Sequence, residues 1–149
     1  MRVYRISAVT FIVESMERSC KFYSKIPGFR LVYGGASTSP FTTFQIDGTN
    51  GIERDNSYND NGYANCKGYL NLELERGRGI NSRIRDARDF GRIVFYTDDV
   101  DDLYSYLKND DSISDIISLE NTPKNAPWGE RFFHVRDPDG YQLSFAKLL

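Results

Sequence analysis

The chain lacks most features that would settle its function at once. Only two of its 149 residues are cysteine, Cys20 and Cys66, and they match no zinc or redox spacing. Two free thiols suit a reducing cytosol, and a disulfide between them is the alternative. The formal net charge is −2, so no basic excess points to nucleic acid or to a membrane surface. No apolar run approaches membrane-spanning length. The opening Met1-Arg2-Val3-Tyr4-Arg5-Ile6 has neither the apolar core nor the cleavage site of a signal peptide, which makes cytoplasm the expected compartment. There is no Walker A loop. Gly77-Arg78-Gly79 lacks the rest of a dinucleotide fingerprint, and no serine stands in a nucleophile-elbow context.

What is present is a soluble globular composition, 40% hydrophobic and 27% charged, with ten Tyr and ten Phe that favour strand. Tyr4 to Val13 reads as a strand. Ser15 caps a helix whose apolar stripe is Met16, Cys20 and Tyr23, widened by Phe22 and Ile26 and stopped by Pro27-Gly28. Strands follow at Phe29 to Tyr33 and Phe41 to Ile46. Asp47 to Lys67 is a long polar insertion, and Tyr69 to Glu75 alternates as a half-buried strand. Arg76 to Asp89, with five arginines, reads as a solvated linker. Phe90 to Thr97 is a strand. Asp98 or Asp99 caps a helix striped by Val100, Leu103, Tyr104 and Leu107. The nearby Asp101 and Asp102 are explained by the helix dipole. Ile113 to Leu119 reads as a strand and Asn121 to Gly129 as a loop. Arg131 to Arg136 and Tyr141 to Leu148 form a hairpin about Asp137-Pro138-Asp139-Gly140.

The order is βαβββ, linker, βαβββ, and it contains a faint internal repeat. Ala8 to Met16 aligns without a gap to Arg92 to Val100, an offset of 84. Leu70, Leu72 and Leu74 align to Tyr141, Leu143 and Phe145 at an offset of 71. By strand parity Ala8, Thr10 and Ile12 share one face, as do Arg92, Val94 and Tyr96, then Asn71 and Glu73, then Gln142 and Ser144.

Trp128-Gly129-Glu130-Arg131 leads into Phe133 and then Asp137-Pro138-Asp139-Gly140-Tyr141, one strand from the end. Phe22-Tyr23 and Pro27-Gly28-Phe29 make a matching helix-to-strand junction in the first half. With the duplicated order, the chain resembles the vicinal oxygen chelate superfamily, which includes glyoxalase I, extradiol dioxygenases and the bleomycin- and fosfomycin-resistance proteins. The resemblance implies an α+β fold: two βαβββ modules forming a curved mixed sheet around a cavity, helices outside. It implies one domain over 1–149, with modules at about 1–75 and 90–149 and a linker at about 76–89, and commonly a homodimer.

In the superfamily's enzymes a divalent metal is held by His, Glu or Gln from the first and last strands of each module. The resemblance puts those positions at Ala8, Glu73, Arg92 and Ser144. Only Glu73 is an ordinary ligand. Ala8 has no donor, Ser144 is a poor neutral one, and the Arg92 guanidinium offers no lone pair and repels a cation. The sole histidine, His134, lies outside these positions and reads as structural. No metal and no cofactor are therefore expected. The pocket candidates are Thr10, Glu73, Arg92, Tyr96, Trp128 and Ser144. Glu73 and Arg92 could pair with each other, or Arg92 could meet a ligand carboxylate or phosphate. Trp128 could stack on a planar ligand or plug the sheet edge.

The leading expectation is a small-molecule-binding protein that sequesters or senses its ligand, like bleomycin-resistance proteins. The alternative is a metalloenzyme of the same superfamily (lyase, isomerase or dioxygenase) recruiting His134 or the Asp47–Lys67 insertion. A third is an interaction module docking an acidic partner on the Arg76–Arg88 segment.

Overall fold

A computed structural model describes residues 6–46, 68–75 and 91–149. The chain divides into two compact units, Met1–Glu75 and Arg76–Leu149. The long polar insertion and the arginine-rich segment lie outside the described residues.

The first unit runs β1 (Ala8–Val13), α1 (Met16–Tyr23), β2 (Phe29–Tyr33), β3 (Phe41–Ile46) and β4 (Gly68–Leu74). Ser15 is the cap expected of it: its hydroxyl accepts from the backbone N–H of Arg18 at 3.3 Å. The sheet order is β1-β4-β3-β2, with β1 parallel to β4 and the other pairs antiparallel. One face carries Phe11, Val13, Phe44, Leu70 and Leu72, all fully buried, and meets Phe22, Tyr23 and Met16 of α1. The Tyr23 ring packs on Phe22, Phe29 and Phe44. Each such side chain contributes about 1.5–3 kcal/mol of burial.

The second unit repeats this plan: β5 (Arg92–Tyr96), α2 (Val100–Lys108), the short β6 (Ser118–Leu119) and β7 (Lys124–Asn125), then β8 (Glu130–Arg136) and β9 (Gln142–Leu148). Its order is β5-β9-β8-β6, with β7 also pairing to β8. Asp99 is the cap of α2, accepting from the N–H groups of both Asp101 and Asp102. Asp101 does more than face the helix dipole, because its carboxylate takes two bonds from Arg131, at 2.6 and 2.7 Å. That fork ties the first turn of α2 to β8 and holds the Asp101 carboxyl below its ordinary pKa. The core face carries Phe95, Phe133, Val135, Leu143 and Phe145 against Leu103, Tyr104 and Leu107 of α2.

Two expectations are corrected here. Ile113 to Leu119 is not one strand. Residues 111–116 form successive turns, in which Ile113 N–H bonds Asp110 O and Ile116 N–H bonds Ile113 O. That spacing of three buries Ile113, and the Asp110 carboxylate holds the turn through Ser112 N–H at 2.9 Å. Only Ser118–Leu119 remain as strand, opposite Arg136 and Val135. The segment expected as a loop also contains a two-residue strand, Lys124–Asn125.

The second correction concerns the repeat. The capping residues Ser15 and Asp99 confirm the offset of 84 at the front of each unit. In β1 Thr10 pairs with Asn71, and in β5 its counterpart Val94 pairs with Ser144. The last strands therefore correspond at an offset of 73, since 144 − 71 = 73, and not at 71. A slip of two residues keeps every side chain on its own face but moves it one row along the strand. The counterpart of Ser144 is Asn71, and that of Glu73 is Ala146.

Among the described residues no helix is long and apolar enough to cross a membrane.

Candidate functional site

The sheet face of the second unit turned away from α2 is built in rows by the strand register. Arg92, Gln142 and Arg136 form the first row. Val94, Ser144 and His134 form the second, and Tyr96, Ala146 and Phe132 the third. Glu130 opposite Leu148 continues the series. Gly129 (φ 90°) turns the chain just before β8, and Trp128 stands over this face with its ring parallel to Phe132, 17° and 6.0 Å away. Of the predicted site residues, the structure brings Arg92, Tyr96, Trp128 and Ser144 onto this one face.

The first row and His134 form a continuous polar chain. Arg92 Nη1 lies 2.7 Å from His134 Nε2, and Arg92 Nη2 donates to Glu120 Oε2 at 3.3 Å and to Gln142 Oε1 at 3.1 Å. The other oxygen of Glu120 accepts from Arg136 Nε at 2.7 Å. A guanidinium can only donate, so Nε2 must be the acceptor. The ring proton then sits on Nδ1, which donates to Ser144 Oγ at 3.1 Å, and that hydroxyl donates to Phe133 O at 3.3 Å. Burial first, then the charge of Arg92, push the imidazole pKa below its ordinary value, with Lys124 adding to the effect and Glu120 opposing it. His134 is thus a neutral Nδ1–H tautomer with no lone pair to spare.

At the other end Glu130 gathers two donors. The Tyr96 hydroxyl makes a short hydrogen bond to Oε1, and the Trp128 indole N–H donates to Oε2 at 2.8 Å. These bonds, that of Tyr96 first, hold the Glu130 carboxyl below the usual glutamate range, and the carboxylate raises the Tyr96 phenol. Trp128 remains 70% exposed and Tyr96 65%. Trp128 therefore does not plug the sheet edge. It is an exposed ring held in one orientation by a carboxylate at its nitrogen and by Phe132 beneath it.

In the first unit the corresponding row is Thr10, Asn71 and Thr43. Thr43 donates to Asn71 Oδ1 at 3.0 Å, and Asn71 Nδ2 reaches Thr10 Oγ1 at 3.4 Å. Thr43 and His134 occupy equivalent places beside Asn71 and Ser144. Ala8 pairs with Tyr69, and Glu73 lies between Ile12 and Phe41.

These residues do not fit the divalent metal of the superfamily's enzymes. Of the four expected positions only Glu73, between Ile12 and Phe41 on β4, could donate to a metal: Ala8 offers nothing, Arg92 is a cation, and Ser144 spends its hydroxyl on His134 and a carbonyl. Among the described residues no group of three His, Cys, Asp or Glu side chains converges. Sequence reasoning set His134 aside, and missed Glu120, Glu130 and Phe132. Parity could have found three of these, since Glu130, Phe132 and His134 alternate along β8 and share a face. Glu120 left no such signal, because its placement depends on turns that sequence pattern misread.

The Glyoxalase/Bleomycin resistance protein/Dioxygenase superfamily profile matches residues 5–145. The chain belongs to that superfamily. Solved structures with the same fold include a superfamily member from Sphaerobacter thermophilus, 21% identical, with a TM-score of 0.60 and 97% of each chain covered. Another is a glyoxalase/bleomycin resistance protein/dioxygenase family enzyme from Burkholderia phytofirmans, at 15% identity and a TM-score of 0.59, covering 96% of this chain and 98% of that one. A third is TioX from Micromonospora, at 16% and 0.58, covering 98% and 100%. No curated protein matches the chain significantly by sequence.

Proposed function

We propose that this protein binds a small molecule, sequestering or sensing it, on the sheet face that carries Arg92, Tyr96, Trp128 and Ser144, and that it does so without a catalytic metal. One observation carries the reading: the guanidinium of Arg92, at the position where the superfamily places a ligand, occupies the Nε2 lone pair of the sole histidine. A metal there would have to displace a cation that is also ion-paired to Glu120. The same face offers an oriented, exposed indole and phenol, a combination suited to planar organic molecules.

Thermal-shift screening against antibiotics, thiol adducts and aromatic acids, run beside metal analysis of the purified protein, tests this. A ligand at one hundred times its Kd raises native-state stability by about 2.7 kcal/mol. The expected result is stabilisation by an organic ligand that persists in chelator. A stoichiometric divalent ion whose removal abolishes ligand binding would sink the proposal in favour of a metalloenzyme.

A further inference from the structure

We propose that the ligand class of this face is an aromatic carboxylate, its ring on the exposed face of Trp128 and its anionic group at Arg92. The inference rests on the binding reading above and adds the chemistry of the ligand.

The first support is charge. The end of the face around His134 carries Arg92, Arg136 and Lys124, and the carboxylate of Glu120 is divided between the two guanidiniums. Lys124 Nζ lies 5.4 Å from the centre of the Phe132 ring, so the positive charge extends over the aromatic row. The charges that act on His134 are those of Arg92 and Lys124 against that of Glu120.

The second support is a count of donors. A guanidinium has five N–H bonds. His134, Glu120 and Gln142 take three of those on Arg92. The Nε–H and one N–H on Nη1 meet no acceptor among the described residues, although the side chain is only 29% exposed. A partly exposed cation with unused donors gains somewhat more from an incoming carboxylate than a fully solvated one, because less water screens the pair.

The third support fixes orientation. Glu130 sits at the Trp128 end and repels an anion there, so the two ends of the face differ in sign. The distance fixes size. Arg92 and Tyr96 are four residues apart on β5, roughly 13 Å at about 3.3 Å per residue, so a ligand touching both ends needs more than one ring.

The experiment uses the fact that the chain has one Trp and one His. Each gives a single set of side-chain signals in a 15N NMR spectrum. The protein is titrated with naphthalene-2-carboxylate, naphthalene-2-carboxamide and naphthalen-2-ylmethylammonium. The carboxylate is expected to shift both the Trp128 indole and the His134 ring and to bind at least fivefold more tightly than the amide. Arg92→Gln should erase that preference while the indole still shifts, and Arg92→Lys should retain part of it. Equal binding of amide and carboxylate, preference for the ammonium, or a preference that survives Arg92→Gln would overturn the inference and leave the binding reading intact. If none of the three probes moves the Trp128 indole, the inference and the proposed binding face fall together.

Discussion

Arg92 Nη1 and His134 Nε2 lie 2.7 Å apart, and this contact sets the proton positions of the polar chain from Arg92 through His134 to Ser144. The cation cannot accept, so the imidazole must. From that one fact follow the Nδ1–H tautomer, the bond to Ser144, and the exclusion of His134 from metal ligation in this arrangement. Burial first and the charge of Arg92 second hold the imidazole in its neutral form.

His134 is expected to titrate below the ordinary histidine value of about 6.5. A depressed pKa in the folded state means that stability present above the unfolded pKa is lost as pH falls through the folded one. Because burial is the larger cause and Arg92 the second, Arg92→Gln should move the midpoint part of the way back up. Proton NMR of the single imidazole measures both values. A midpoint above 6.5, or one unmoved by the substitution, would contradict the contact.

Trp128 should report the ionisation of Glu130. The carboxyl is held low by Tyr96 and Trp128, so the indole keeps its acceptor until the pH drops below the usual glutamate range. Acidification through that lower value should shift Trp128 emission, and alkaline titration should show Tyr96 ionising above its ordinary value. Glu130→Gln should leave the emission flat across the acid range. The variant reproducing the wild-type transition would show that another group is responsible.

The fold was legible wherever local chemistry and periodicity agreed. Ser15 and Asp99, each just before an apolar stripe, specified both helix starts, and the alternation of Leu70, Leu72 and Leu74 specified β4 and its buried face. Ile113 and Ile116 misled because β-branched residues near one another suggest strand, whereas the Asp110 turn takes up their backbone bonds. The site was half legible. Parity put Arg92, Tyr96 and Ser144 on one face. Pairing register did not follow from an apolar alignment, because a shift of two residues leaves the hydrophobic pattern unchanged. Long-range partners such as Glu120 and Arg136 for each other leave no mark at the level of spacing.

Thr42 is expected to matter more than its neutral hydroxyl suggests. It is fully buried, and its Oγ1 accepts from Gly35 N–H at 3.0 Å and from the Cys20 thiol at 3.8 Å. Gly35 takes φ +94°, a conformation that glycine adopts readily, and presents its N–H to Thr42 Oγ1. Thr42→Val keeps the volume but strands the donor, at a cost of about 1–3 kcal/mol. Urea denaturation measures it. Burial already raises the Cys20 thiol pKa and the Thr42 bond lowers it, so the variant should also alkylate more slowly in the native state. A stability change near zero would mean that Gly35 N–H is satisfied elsewhere.

Glu120 makes a sharper test, because its two effects should have opposite signs. Its carboxylate bridges Arg92 and Arg136, with side chains 26%, 29% and 33% exposed. Glu120→Gln weakens both bridges and leaves two guanidiniums without their shared counter-charge. Solvent at these partly exposed groups limits the loss to roughly 1–2 kcal/mol. The same change frees donors on Arg92 and removes an anion that competes with an incoming carboxylate. A gain on the order of 1 kcal/mol would tighten binding of naphthalene-2-carboxylate about fivefold. A folded protein that is less stable yet binds the anion more tightly is the expected outcome, read from denaturation and NMR titration on one sample. Loss of stability with unchanged or weaker affinity would mean that Glu120 only braces the sheet and that the positive charge around His134 does not reach the ligand.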